Sequence, residues 1–224
     1  MYTYKSFMKR LCAVTLLLSS LLLCGGVIDH LRQVEGQTPC RSIPYIDTTY
    51  VINLDKRPEK YALVSKELGK YGIVPQRFNA VNGWELPLDT IRDIGVSFTP
   101  SMPPLSPLKR FTAEGEVVDI VPKEGEVYFA PGMTRGAIGT ALSHLSVIKN
   151  AYDKGHETIW ILEDDITAVQ DPRLLSDVIE RLNDEVGRDG WDLLFTDFET
   201  RNERGEYVET HKGYFHHLNF TLEG

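Results

Sequence analysis

Cysteine is scarce in this chain. Cys12, Cys24 and Cys40 are its only three, and the first two sit in or just after an N-terminal apolar run. A disulfide framework is therefore excluded, and no CxxC pair exists to form a zinc knuckle. No G-x-S-x-G, G-x-x-x-x-G-K-[ST], G-x-G-x-x-G or H-E-x-x-H string occurs. The hydrolase, P-loop, dinucleotide and zincin classes lose support accordingly. Positive charge is also in short supply, with 24 Lys and Arg against 32 Asp and Glu. Residues 1–45 hold five of the basic residues and two of the acidic ones, which leaves 19 basic and 30 acidic residues in the body, a net of −11. So acidic a body lacks the basic surface that nucleic acid requires, and no nucleic-acid partner is expected. Internal repeats and low-complexity segments are absent. What remains is ordinary globular composition, 42% hydrophobic and 25% charged over 224 residues, enough for one domain with a short appendage.

The appendage is N-terminal. Lys5, Lys9 and Arg10 precede an apolar stretch from Leu11 to Leu23, broken by Thr15, Ser19 and Ser20, and Cys24-Gly25-Gly26 follows. A basic flank, an apolar centre and small residues describe a secretory signal peptide. The alternative is an uncleaved anchor, because residues 11–28 approach the ~20 needed to span a bilayer. Cys24 also admits a lipoprotein reading, which the large Leu23 before it fits poorly. Residues 1–30 are therefore expected to be a signal peptide or membrane anchor, 31–45 a linker, and 46–224 the folded domain. An exported or membrane-associated protein of the cell envelope follows. Should the apolar run be misread, the location becomes the cytoplasmic face of a membrane.

The body alternates strand and helix patterns. Thr49 to Leu54 is a β-branched and aromatic run read as a buried strand. Asp55 can then cap a helix with Pro58 in its first turn, Tyr61, Val64, Leu68 and Tyr71 on one face, and Gly72 at its end. Gln76 to Val81 reads as a second strand, followed by a turn at Asn82-Gly83. From Ser97 to Pro131 the periodicity fails, and this stretch holds six of the twelve prolines. It reads as a long excursion with one hairpin around Val117-Val118 and Val127-Tyr128, and loops of this length are usually functional or mobile. A helix from about Ala137 to Lys154 is marked by Ile138, Ala141, Leu142, Leu145, Ile148 and Ala151. Thr158 to Leu162 is the next strand, a helix follows Pro172, and Asp192 to Thr196 reads as a further strand. This order implies an α/β domain with a mainly parallel sheet.

Glu163-Asp164-Asp165 follows the Thr158–Leu162 strand directly. Three adjacent carboxylates raise one another's pKa, and a divalent cation relieves that. Oxygen ligands suit Mg²⁺ or Mn²⁺, which commonly bridge carboxylates and phosphates. Open α/β sheets bind ligands beyond the carboxyl ends of their strands, where this triplet lies. The competing reading is a cap followed by a solvated acidic loop. His144, among apolar neighbours on its helix, is expected to be a core histidine rather than a metal ligand.

The chain resembles glycosyltransferase family 25 in five blocks that occur in the family's order. These are Tyr50 to Arg57; Gly72-Ile73 with Arg77 to Gly83; Arg135 to Gly139 with Leu142-Ser143-His144; Ile161 to Asp165; and Trp191 to Leu194. Members include lipooligosaccharide and procollagen galactosyltransferases. The resemblance implies a GT-A-like, Rossmann-like nucleotide-diphospho-sugar transferase fold. It also implies transfer of a hexose, typically galactose from UDP-galactose, to a glycan or glycolipid acceptor with inversion. Glu163 and Asp165 would hold Mn²⁺ or Mg²⁺, and Asn53, Leu54, Arg57, Asn79, Gly83 and Asp164 would line the donor pocket. Gly136, Gly139 and His144 would shape helix packing beneath it. Family members continue well beyond the Trp191–Leu194 block, into the acceptor site and the catalytic base. The domain is therefore expected to be incomplete at its C-terminus, with Asp197 as candidate base. A truncated, catalytically inert relative that at most binds nucleotide-sugar is the alternative.

Overall fold

The computed structural model describes residues 26–34, 41–99, 108–112, 116–121, 123–129, 133–168 and 170–196. In chain order these form β1 (Thr48–Asn53), α1 (Pro58–Gly69), β2 (Gln76–Asn79), α2 (Leu88–Asp93), β3 (Val96–Ser97) and β4 (Leu108–Phe111). Then come β5 (Val117–Ile120), β6 (Val127–Tyr128), α3 (Arg135–Asp153), β7 (Ile159–Glu163) and α4 (Leu175–Val186). Strands β2, β1 and β7 lie side by side in that order and all run parallel. Every residue of β1 is buried, as a central parallel strand covered on both faces requires. The pleat sends Val51 and Leu162 to one face, against Val64 and Leu68 of α1 and Ile179 of α4. It sends Tyr50, Ile52 and Phe78 to the other face, against Val147 and Ala151 of α3. The α/β class with a parallel sheet is thus as the sequence pattern implied.

Helix α1 ends as expected, with Gly72 in the left-handed region at φ +72°. Its start differs: Asp55 does not cap it, because the Asp55 carboxylate accepts hydrogen bonds from Arg77 and Asn79 instead. Helix α3 begins two residues before the expected Ala137, capped by Thr134 Oγ1, which accepts from Ala137 N at 3.1 Å. Its buried stripe is rotated from the one the apolar residues suggest. Ser143 and Ser146 are fully buried, while Leu145 and Ile148 are 38% and 51% exposed. The serines bond the carbonyls of Gly139 and Leu142 and also accept from Val81 N and Arg32 N. Small hydroxyl side chains therefore let the helix approach its neighbours closely, where leucines would hold it off.

Four other expectations change. Val117-Val118 and Val127-Tyr128 do not pair with each other: β5 pairs with β4, and β6 with β3, both antiparallel. This excursion packs as a third cluster, with Phe111 and Phe129 against Ile138 and Leu142 of α3. Residues 192–196 form no strand, because no ladder pairs them among the described residues. Trp191 and Leu194 instead pack beside the α1–α4 cluster, while Leu193 and Phe195 face solvent. The stretch read as the end of the anchor and a linker is docked, with Val27 and Leu31 on the third cluster and Val34 on the α3 face. Ile43 and Ile46 are core residues, so folded chain precedes Tyr45. Among the described residues no helix is long and apolar enough to cross a membrane. The Leu11–Leu23 run, Cys24 and Asp197 lie outside them.

Candidate active site at the carboxyl edge of the sheet

Parallel register brings three strand ends to one edge. Asn53 lies opposite Asn79, and Ile52 opposite Glu163. The hub is Asn53, which is 1% exposed. Its Nδ2 donates to the Arg57 carbonyl at 2.8 Å and to Asp164 Oδ2 at 2.7 Å, and its Oδ1 accepts from Arg77 Nε at 2.9 Å. An amide can serve both a donor and an acceptor in this way, whereas a carboxylate could not. Arg77 continues outward, donating from Nη2 to Asp55 Oδ1 at 3.0 Å. The other Asp55 oxygen accepts from Asn79 Nδ2. Asn53, Arg77, Asn79 and Asp164 share one face because positions 51, 53, 77 and 79 alternate with the residues that face α3.

The same alternation divides the acidic triplet. Glu163 falls on the α3 side, where its Oε1 lies 3.2 Å from His144 Nε2. His144 is therefore not a core residue; its side chain is 36% exposed and faces the acidic end of β7. Asp164 lies on the Asn53 side. The exposed Asp165 carboxylate has no hydrogen-bond or ion-pair partner among the described residues, and Asp164 accepts on Oδ2 only. No group of three His, Cys, Asp or Glu side chains converges there among the described residues. The donor chemistry nevertheless fits Mg²⁺ or Mn²⁺, which usually take one or two protein carboxylates and complete their shell with phosphate and water. Asp164 and Asp165 have oxygens to offer, and Glu163 has one shared with His144.

Arg57 and Arg77 differ in availability. Arg77 is committed to Asn53 and Asp55 and lies over the Tyr61 ring at 5.8 Å. Arg57, at the N-cap of α1, uses only its carbonyl and amide, and its guanidinium makes no ion pair among the described residues. A helix N-terminus beside a free guanidinium is the arrangement that receives phosphate. Leu54 is half-buried and packs against the α3-side cluster. Gly83 sits beneath α3: a Cβ there would fall 1.7 Å from the Arg135 carbonyl oxygen, and one on Gly139 would fall 2.6 Å from Gly83 N. Both glycines permit a backbone-to-backbone contact, as expected of Gly139. A cavity of about 460 Å³ between Arg92, Arg110 and Phe129 belongs to the excursion and contains none of these residues.

Residue-by-residue reading missed Asp55, Arg77 and His144 as members of this edge. Part of the signal was present, since Arg77 and Asn79 alternate along one strand, but the register that sets them beside Asn53 is fixed by the pairing of β1 with β2.

A three-stranded parallel sheet with polar groups gathered beyond its carboxyl ends defines an open-sheet α/β domain, in which ligands usually bind at that edge. Residues 46–213 match the family described as Glycosyltransferase family 25 (LPS biosynthesis protein). The chain belongs to glycosyltransferase family 25, as its five blocks implied. It is 30% identical over 146 residues to a glycosyltransferase 25 family member of Aedes aegypti, covering 65% of this chain and 20% of that protein. A Drosophila melanogaster glycosyltransferase 25 family member is 26% identical over 169 residues, or 75% of this chain and 24% of its own. A human relative, named inactive glycosyltransferase 25 family member 3, is 26% identical over 151 residues, or 66% and 21% of the two chains. The matched segment thus spans about a fifth to a quarter of these relatives. No solved structure matches.

Proposed function

We propose that this domain transfers a hexose, galactose from UDP-galactose, to a hydroxyl of a cell-envelope glycan such as lipopolysaccharide or lipooligosaccharide. Transfer proceeds with inversion on a GT-A-like fold. The observation that carries this reading is the Asn53 hub, which holds Asp164 through a neutral amide. Orientation by an amide leaves the carboxylate without a compensating cation, whereas a direct arginine pair would offset its charge. Asp164 and Asp165, with Glu163 beside His144, would hold Mn²⁺ or Mg²⁺. Bound there, the cation would neutralise charge on the departing diphosphate. Arg57 and the N-terminus of α1 contact the phosphates, Asn79 orients the nucleoside side of the donor with the buried Asn53 fixing the groups behind it, and Leu54 and Gly83 support the pocket from beneath. The acceptor hydroxyl must lose a proton as it attacks, and Asp197 is the proposed base. Residues 11–25 route the chain to, or tether it at, a membrane; Val27 is already packed on the body.

A second reading, binding of nucleotide-sugar without transfer, is favoured by the human relative whose name marks it inactive. UDP release and product linkage separate the two. The enzyme reading predicts UDP release from UDP-galactose that depends on a lipooligosaccharide acceptor and yields a β-linked galactose by NMR. Donor binding without acceptor-dependent release supports the second reading and contradicts the first.

A further inference from the structure

We infer that Arg32, in the docked segment Gly26–Val34, is a positioning residue of the donor edge. The inference rests on the donor-site reading proposed above and goes beyond it in residue and in role. Arg32 is tied at both ends. Its backbone N–H donates to Ser146 Oγ on α3 at 3.0 Å. Its Nη1 lies 2.9 Å from the Ala80 carbonyl oxygen, and 3.5 Å from both the carbonyl oxygen and Oδ1 of Asn79. The guanidinium therefore caps the carbonyls at the end of β2, which have no following strand residue to serve. It also settles the Asn79 amide, since Oδ1 faces Arg32 while Nδ2 donates to Asp55.

From Asn79 the bonds continue without a break. Asn79 donates to Asp55, Arg77 donates to Asp55 and to Asn53, and Asn53 donates to Asp164. Each asparagine along this chain lies between two charged groups, Asn79 between Arg32 and Asp55 and Asn53 between Arg77 and Asp164, while Asp55 and Arg77 pair directly. Each amide is engaged at both of its ends by opposite partners, and Asn53 is held further by the Arg57 carbonyl. Without Arg32, the Asn79 amide keeps its donation to Asp55 but loses the cation beside its oxygen end, and its position at the edge is less tightly held. The looser Asn79 leaves Asp55 less firmly placed, and through Asp55 the setting of Arg77 against Asn53. Asp164, at the far end, is the group affected in function. A segment that reads as the tail of an export signal and a linker thus helps build the donor site.

The test compares the full chain with its Arg32→Ala and Arg32→Lys variants. Calorimetric titration with UDP in the presence of Mn²⁺ should show about three- to tenfold weaker binding for Arg32→Ala, the loss of a charge-assisted link. Arg32→Lys should recover part of it, because an ammonium keeps the positive charge and can donate to the Ala80 carbonyl, though without the planar geometry of the guanidinium. Side-chain amide NMR gives a readout that needs no ligand: Arg32→Ala should shift or broaden the amide pairs of both Asn79 and Asn53. Unchanged UDP affinity, or an Asn53 amide pair identical to wild type, would overturn the inference. Weakened binding that merely follows a lowered folded fraction, equally in both variants, would reduce Arg32 to a structural residue and overturn it too. If the wild type itself does not bind UDP, the donor reading falls, and the Asn53 amide signals alone decide whether the relay exists.

Discussion

Asn53 and Gly83 show how single atoms set this edge. Asn53→Asp keeps the shape but turns the donor facing Asp164 and the Arg57 carbonyl into an acceptor, bringing two like charges together. We expect a loss of about 1–3 kcal/mol in denaturant unfolding at neutral pH, and no measurable change would contradict the hub assignment. Gly83→Ala meets the Arg135 carbonyl at 1.7 Å and cannot be relieved by a rotamer change. Its cost should lie at or above the upper end of the ~1–3 kcal/mol typical of overpacking, read as a lowered melting temperature. Gln76 runs the other way: it is buried and neither side-chain polar atom has a partner among the described residues. Gln76→Met should therefore be neutral or stabilising by about 1 kcal/mol, since an unpaired buried amide is removed with its volume kept. Asn53 and Arg57 stood out in the sequence through the family blocks. Gln76 did not, because burial without a partner depends on what the strand faces rather than on residue type.

At the scale of elements, the entry of β7 is fastened by Asp47 just before β1. Burial disfavours the charged Asp47 carboxylate, but the backbone N–H groups of Glu157 and Thr158 and the Arg41 guanidinium outweigh it, so it titrates below its usual value. A carboxylate with a lowered folded pKa contributes stability that is present above its unfolded value and is lost as pH falls through the folded one. The stability gap between wild type and Asp47→Asn should thus be constant from neutral pH down to about pH 5 and shrink below about pH 4. A gap independent of pH would show that the carboxylate's charge plays no part. Strands β1 and β7 were readable as apolar, β-branched runs, whereas β2, Gln76–Asn79, has Phe78 as its one apolar residue and alternates buried with more exposed positions. The α3 stripe was not readable, since hydrophobicity alone ranks Leu145 above Ser146, whereas close packing and two hydroxyl bridges decide for the serine. The apparent strand at 192–196 shows the converse: apolar residues in a row make a strand only when a neighbour supplies the ladder.

For the whole molecule, the class and the family were legible, while the wiring of the site was not. Family blocks name residues, but the pleat and register of the sheet assign them to faces, sending Glu163 to His144 and Asp164 to Asn53. We propose that Asp164, held by the Asn53 amide, works with Asp165 to bind a metal-bridged UDP at this edge. UDP titration of the wild type and of Asp164→Asn and Asp165→Asn, each with Mn²⁺ and with chelator, tests it most directly. The wild type should bind UDP at least about tenfold more tightly with Mn²⁺ than with chelator, a difference of about 1.4 kcal/mol, and both variants should lose most of that difference. Equal UDP affinity in all three proteins, with or without Mn²⁺, would contradict it.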